Sequence, residues 1–575
     1  MGTFTGFCSQ NIGFAMGRCV EDTRHAHPMT LKRQAHMCTL VFNGEIYNAK
    51  ELRRELKADT DQSEALILLA YFQYGPGFVE KVNGVFGAVI WDETKKTLFL
   101  FRDRIGAKPM FYTRNKETLF FASSIGSLLQ YPGVEPVLDE NGLCEIFALG
   151  PARTPGNGVF RDICEVLPGH YISFAQGVVT DHCYWNVKSC PHEDSEKETV
   201  EKTAWLIEDA MKRQLESKER ISSFLSGGID SSLVTAICAE TLREENEKLL
   251  TFSFDFEGNQ QYFQANAFQP SRDRPWVDMM AAYCGSEHRY LECSNEKLAE
   301  YLYKAVDARC LPCMADVESS MLYFCSQVSQ YSHVALTGEC ADEIFGGYPW
   351  FHKKEAFMTA GFPWAFDQSV RQSLLREEWI QKLPMKEYAD AAYEKSVRET
   401  PYCPEDTKEE RRRREIAYLN LKWFMATLLD RMERTSTWYD LSARVPFADY
   451  RIIEYVWNVP WTIKCKDGIP KSLLRCAGKG KVPEEILWRK KSPYPKTYNP
   501  EYEAILARRM REEILQDTNA PIRAFLDRKK AERFLNAPKD YGRPWYGQLM
   551  AGPQMIAYML QINYWMKKYQ IQIRL

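Results

Sequence analysis

The stretch SFLSGGIDSSLVTAI, Ser223 to Ile237, passes from a short apolar segment through Ser226-Gly227-Gly228 into an acid, two serines and an apolar run of helical length. A strand that delivers two glycines to a helix start turns several backbone N–H groups toward one point, where the helix dipole also favours negative charge. Without a Cβ, glycine lets a ligand come close. A phosphate loop of the Walker type carries a lysine here; this chain has Asp230 at the loop's end instead. A carboxylate beside a phosphate site makes sense when a divalent cation lies between them, and Mg²⁺ accepts such ligands.

Downstream of that loop, strand-like and helix-like runs alternate: ISSFL, SLVTAICAETL, LLTFSFDF, WVDMMAAYCG and HRYLEC. The alternation predicts a parallel sheet with helical crossovers. From about Phe351 the pattern is mostly helical. EERRRREIAYLNLKWFMATLLDRM reads as one long amphipathic helix, with Arg411 to Arg414 on a solvated face. Upstream, MCTLVFNGEIYN, GVFGAVIWD and KTLFLFRD are β-rich, ELRRELKA and SEALILLAYFQYG are helical, and GHYISFAQGVVTDHCYW reads as a hairpin. These predict a shortened α+β sandwich over residues 1–185. The polar segment Asn186–Lys202 is the linker, and a second domain fills 203–575. The fold class is α/β with two domains.

A chain of 575 residues is too long for one core. Its 74 Lys plus Arg nearly balance 77 Asp plus Glu, so no global field gathers nucleic acid or an anionic membrane. No apolar run approaches the roughly 18 residues a membrane span needs. The start MGTFTGFCSQ lacks a basic, then apolar, signal pattern, and a cytoplasmic location is expected. An odd 17 cysteines scattered through the chain predict reduced thiols. Cys310 and Cys313, in CLPC, have redox or metal spacing, but no second pair accompanies them, which favours a structural reading.

The string Ser226 to Ser232 resembles the pyrophosphate loop of ATP pyrophosphatases, which split ATP between the α and β phosphates. With VALTGECADEIFGGYPWFHK (Val334–Lys353), ARVPFADYRI (Ala443–Ile452), IPKSLLR (Ile469–Arg475), VFNGEIYNAKELRREL and FLFRDRIGAKPMFY, the chain resembles glutamine-dependent asparagine synthetases nearly end to end. The resemblance implies an Ntn-hydrolase-like glutaminase fold followed by an ATP-pyrophosphatase domain, a homodimer, and ATP with Mg²⁺. It also implies adenylation of a carboxylate and transfer of the acyl group to ammonia or an amine, an amide ligase reaction that forms AMP and pyrophosphate. On that likeness Ser226, Gly227, Gly228, Ser231 and Ser232 cradle pyrophosphate, while Asp230 and Asp342 hold the metal. Lys471 stabilises charge on the α-phosphate, and Glu339 orients the amine or takes its proton. Leu225, Phe254, Thr337 and Gly338 line the adenosine pocket.

Two departures from the family stand out. Its glutaminases carry a cysteine directly after the initiator methionine, whose own amine activates the thiol. Here that residue is Gly2, which has no nucleophile, and Cys8 has no adjacent free amine. Ser63 falls near the position of the Asp that grips glutamine, whereas Asn43, Gly44 and Arg18 persist. The first two are explained by packing of the FNGEIYN turn, and the domain reads as a degenerate glutaminase scaffold. Second, Trp438, Tyr439, Asp440 and Ser442, with Cys310, stand where relatives have small or acidic residues. Changed size and polarity there would alter the acceptor pocket and disfavour free aspartate.

The alternatives are asparagine formation from aspartate and ammonia, and ring closure on a peptide or other natural product, as in β-lactam synthetase and lasso-peptide cyclase. From another class comes an RNA thiolase using Cys310 and Cys313, against which the balanced charge stands. Retention of Asp230, Asp342, Glu339 and Lys471 argues against a pseudoenzyme.

Overall fold

The structure, a computed structural model, describes residues 3–9, 13–17, 26–265, 271–365, 369–537 and 552–575. The chain forms two compact units, one of residues 1–142, 153–187 and 572–575, the other of 143–152 and 188–571. Gly2 and Arg18 lie outside the described residues.

The first unit begins with β1 (Thr5–Ser9), β2 (Gly13–Met16), β3 (Met29–Arg33) and β4 (His36–Ile46). There follow β5 (Gly84–Asp92), β6 (Thr97–Arg102), β7 (Phe111–Asn115), β8 (Thr118–Ala122) and β9 (Val137–Leu138). Last come β10 (Ile163–Glu165), β11 (His170–Ala175) and β12 (Val178–Cys183). They build a six-stranded sheet in the order β12-β11-β6-β5-β4-β3 and a five-stranded one in the order β10-β7-β8-β1-β2. The two-residue alternation of a strand assigns each side chain to a face. Val41 and Val89 pack with Leu119 and Phe121 of the five-stranded sheet and with Phe4, just before β1. Leu40, Phe42, Ala88 and Ile90 pack on the opposite face with Ile67 and Tyr71 of the helix Ser63–Tyr74. With both faces covered, β4 and β5 read as nearly unbroken apolar runs. The β11–β12 hairpin turns at Gln176 and Gly177, as its sequence predicts.

Asn43 and Gly44 are not in a turn: they lie within β4, opposite Gly87 and Phe86. A Cβ on Gly44 would come within 2.1 Å of the Val85 carbonyl oxygen, so strand packing alone demands glycine there. Cys8 is buried in β1, and burial pushes its thiol up to about 11.

The second unit carries β13 (Ile221–Phe224), β14 (Leu250–Phe256), β15 (Glu287–Cys293), β16 (Val334–Leu336) and β17 (Ser442–Arg444). They form one sheet in the order β15-β14-β13-β16-β17, parallel throughout. The order runs one way from β13 to β15 and the other way from β13 to β17. Crossovers on either side of such a switch point diverge and leave a crevice at the carboxyl ends of the central strands.

The long helix expected around Arg411–Arg414 is an α-helix (Lys408–Leu419), a π-helical stretch (Asn420–Met425) and a second α-helix (Ala426–Thr437). Its arginines are not a uniform solvated face. Arg414 pairs with Asp406 at 2.7 Å, and Arg412 bonds Glu415 and Tyr393 as well as the carbonyls of Ala356 and Thr359. Every described cysteine is a free thiol. Among the described residues no helix is long and apolar enough to cross a membrane.

Candidate active site

A cleft of about 270 Å³ opens where the β13, β14 and β16 carboxyl ends meet. After β13 the chain turns through Gly227 (φ +70°), and Gly228 caps the helix Ile229–Glu244. The loop's hydroxyls bond one another. Ser226 N donates to Ser231 Oγ at 3.1 Å, the Ser226 and Ser231 hydroxyls lie 2.9 Å apart, and Gly228 N donates to Ser226 Oγ at 3.4 Å. After β16, Gly338 passes so close to this helix start that a Cβ would meet Ser231 N at 2.6 Å. The two loops therefore touch as bare backbone.

Asp230 and Asp342, one from each segment, converge on Lys471. Its ammonium donates to both Asp230 oxygens at 2.7 Å and lies 2.7 Å from Asp342 Oδ1. Lys471 is 2% exposed and sits behind the two acids rather than on the cleft wall. Its backbone is left-handed (φ 58°), as is that of Cys340 (φ 71°) beside Glu339. Such residues store strain that the surrounding fold must hold. Arg475 does part of this by donating to the Pro470 carbonyl at 2.9 Å.

The charges follow from the packing. Burial opposes the Lys471 charge, but Asp230 and Asp342 outweigh it and raise its pKa. Burial likewise opposes ionisation of Asp342, but Lys471 and Lys491 hold it well below the usual carboxylate range. Asp230 is raised by burial and by its neighbour Asp342, with Lys471 pulling the other way. Glu343 is pushed up to about 7 by burial and by Asp342, while its bond from Tyr348 OH at 2.6 Å works against the rise. Carboxylate oxygens from two acids gathered around one cationic centre are the donor chemistry a hard divalent cation takes. Asp230 and Asp342 thus fit Mg²⁺.

Glu339 lines the cleft with Oε1 bonded by Arg431, while Oε2 is buried with no hydrogen-bond partner among the described residues. Burial raises its pKa despite Arg431. On the apolar side, Phe254 stacks on Phe324 at 4.3 Å, and Leu225 N donates to the Phe252 carbonyl at 2.7 Å. Phe254, Leu225 and Thr337 all face the cleft. Ser232 does not; its hydroxyl is buried inside the helix start.

The expected acceptor residues are not brought to the cleft. Trp438 is 37% exposed at a helix end, and Tyr439 packs against Tyr301, Ala305 and Cys313. Asp440 takes a left-handed turn, and Ser442 opens the edge strand β17. Cys310 is buried, and its carbonyl accepts from Trp565 at 2.9 Å. None of these five residues lines this cleft. Sequence reasoning also missed residues in and beside the cleft. Lys491, which pairs with Asp342, and Arg431, which pairs with Glu339, line it, while Arg489, buried beside it, pairs with Asp273 and donates to the Ser226 carbonyl at 3.0 Å. The basic run in WRKKSPYP and a lone arginine in the apolar LLDRM were the available signals.

Residues 202–567 match the Asparagine synthase family, and residues 4–185 match the Glutamine amidotransferase domain. The chain belongs to the asparagine synthase family. It is 43% identical to Asparagine synthetase [glutamine-hydrolyzing] 3 of Bacillus subtilis over 95% of this chain and 90% of that one. It is 26% identical to Asparagine synthetase [glutamine-hydrolyzing] 1 of the same organism (85% and 80%) and to the rat asparagine synthetase (85% and 77%). As a member of the asparagine synthase family, this chain is an ATP-dependent, AMP-forming carbon–nitrogen ligase.

Proposed function

We propose that this chain adenylates a small carboxylate and passes the acyl group to ammonia or an amine without hydrolysing glutamine. Aspartate is the first carboxylate to test, by likeness to the relatives named asparagine synthetases. The observation that carries the reading is the Lys471 ammonium shared by Asp230 and Asp342 beside a glycine turn at a helix start. An amine does not usefully displace the oxygen of a free carboxylate; transfer of AMP to that oxygen makes it a leaving group.

In this reading the N–H groups of the Ser226–Ser232 loop, with the Ser226 and Ser231 hydroxyls, bind the β and γ phosphates that leave as pyrophosphate. Asp230 and Asp342 hold Mg²⁺, which when bound neutralises the departing pyrophosphate's charge. Lys471 steadies the α-phosphate as the carboxylate oxygen attacks. Leu225, Phe254, Thr337 and Gly338 receive the nucleoside. Arg431 fixes Glu339 through Oε1, leaving Oε2 to take a proton from the attacking nitrogen as AMP departs.

Reliance on ammonia or an amine is supported by Gly2, which offers no nucleophile, and by Cys8, which is buried with its thiol held protonated at neutral pH. A specialised ring-closing substrate draws no support from the cleft lining, which Trp438–Ser442 and Cys310 do not join.

The test incubates the purified chain with ATP, Mg²⁺, ammonium and aspartate, then glutamate or short peptides, and measures AMP, pyrophosphate and amide. Carboxylate-dependent AMP formation is expected with ammonium, and no ammonia release from glutamine. ADP in place of AMP would sink the adenylation reading. Glutamate formed from glutamine would sink the loss of glutaminase activity.

A further inference from the structure

Away from the cleft, in the first unit, three metal-ligating side chains of different chemistry meet on one face of the six-stranded sheet. His36 and Cys38 are two apart on β4 and so project the same way, and Asp92 on β5 lies directly opposite Cys38 in the register. His36 Nε2 is 2.9 Å from Asp92 Oδ2 and 3.5 Å from Cys38 Sγ, and the three ligand atoms all lie within 4.8 Å of one another. From this we infer that His36, Cys38 and Asp92 form a binding site for a late first-row divalent cation, zinc first, unconnected with the ligase reaction.

The alternative chemistry for such a trio is a nucleophilic relay, and the geometry rejects it. A relay needs the histidine to hold the acid through one ring nitrogen and the thiol through the other. Here both Cys38 and Asp92 address Nε2. Convergence on a single point is what a metal needs. Zinc bonds of about 2.0–2.3 Å to nitrogen, oxygen and sulfur put tetrahedral ligand atoms roughly 3.3–3.8 Å apart. The two spacings from His36, 2.9 and 3.5 Å, lie just below and within that range and the third is under 4.8 Å, so small side-chain rotations admit the ion. A mixed nitrogen, sulfur and oxygen set selects zinc or cobalt over Mg²⁺.

The surroundings are those of a supported ligand set. Asp92 Oδ1 accepts from the Thr94 and Lys95 amides at 3.1 and 2.9 Å, which aims Oδ2 at the site. Oδ2 also accepts from Tyr71 OH at 2.8 Å. Such outer bonds fix ligand direction. Lys95 Nζ lies 3.4 Å from Oδ2, and it is half-exposed on a long stem that can yield to an arriving cation. The edge of the Phe72 ring packs on His36, which is itself half-buried and leaves an entry from solvent. Cys38 is fully buried, so its thiol proton must pass to solvent as the metal–sulfur bond forms. Three protein ligands leave one position for water.

The test titrates the metal-free full-length protein with Co²⁺ and reads its absorbance, then adds Zn²⁺. A near-ultraviolet thiolate-to-cobalt band with tetrahedral visible bands is expected, saturating stoichiometrically and bleached by Zn²⁺. Cobalt at Asp230 and Asp342 would give no thiolate band, so the two sites are separable. Cys38→Ser should abolish the band. His36→Ala, at a half-buried position, should keep the fold and weaken zinc affinity by more than roughly tenfold with ligase activity unchanged. No thiolate band in the unaltered protein, or a band that survives both substitutions, overturns the site.

Discussion

The Lys471 ammonium donates to both carboxylate oxygens of Asp230 at 2.7 Å, although 241 residues separate the two in the chain. One buried cation therefore balances both acids, Asp230 after β13 and Asp342 after β16. Lys471→Arg keeps the charge but replaces a compact ammonium with a planar fork. We expect this variant to fold, with carboxylate-dependent pyrophosphate exchange into ATP slowed ~10²–10³-fold. Lys471→Met should also lose about 3–5 kcal/mol of stability, because it leaves two acids without their buried partner. Denaturant melts run beside the exchange assay separate the two effects.

Glu339 must be ionised to accept a proton, and burial raises its pKa above the ordinary glutamate value near about 4.3. The inactive protonated form therefore persists to higher pH than for an exposed glutamate. Activity expressed per unprotonated ammonia should fall on the acid side with a midpoint above that value. Glu339→Gln should remove the limb and leave a low, flat profile while adenylation continues. An unchanged limb in this variant would assign the titration to another group.

At Gly338 an added methyl would lie 2.6 Å from Ser231 N and 2.8 Å from the Asp230 carbonyl carbon. Both are backbone atoms that cannot swing aside. Gly338→Ala should cost about 1–3 kcal/mol as the two loops part and raise the KM for ATP more than that for the acceptor. Thermal unfolding and initial-rate kinetics check both halves.

Trp438→Ala should leave the KM of every acceptor unchanged, because the side chain is outside the cleft. Tyr439→Phe removes a 3.3 Å hydroxyl contact with Tyr301 and should cost about 1 kcal/mol, with kcat preserved. A shift in acceptor preference for either variant would return this segment to the pocket.

What the sequence made legible was what depends on short-range pattern. The strand–glycine–helix unit at Ser223–Ile237, the β11–β12 hairpin and the parallel alternation after Ile221 each declare themselves within a few residues. The cations in and beside the cleft did not, because Lys491, Arg431 and Arg489 act through partners about 92 to 263 positions away, and nothing local distinguishes them from surface basic residues. Trp438–Ser442 stands apart from the cleft lining for a different reason. Its composition departs from the family, but the left-handed backbone at Asp440 turns it into the edge strand. The π-helical stretch at Asn420–Met425 left no mark, since one extra residue per turn barely disturbs an apolar stripe.

Asp230, Asp342 and Lys471 reach one another only after β13, β16 and the segment beyond β17 have all taken their places. During synthesis the acids emerge long before the lysine that reconciles them, and two like charges without it repel. The cluster proposed to work on nucleotide is thus complete only in a chain whose second unit has closed around it.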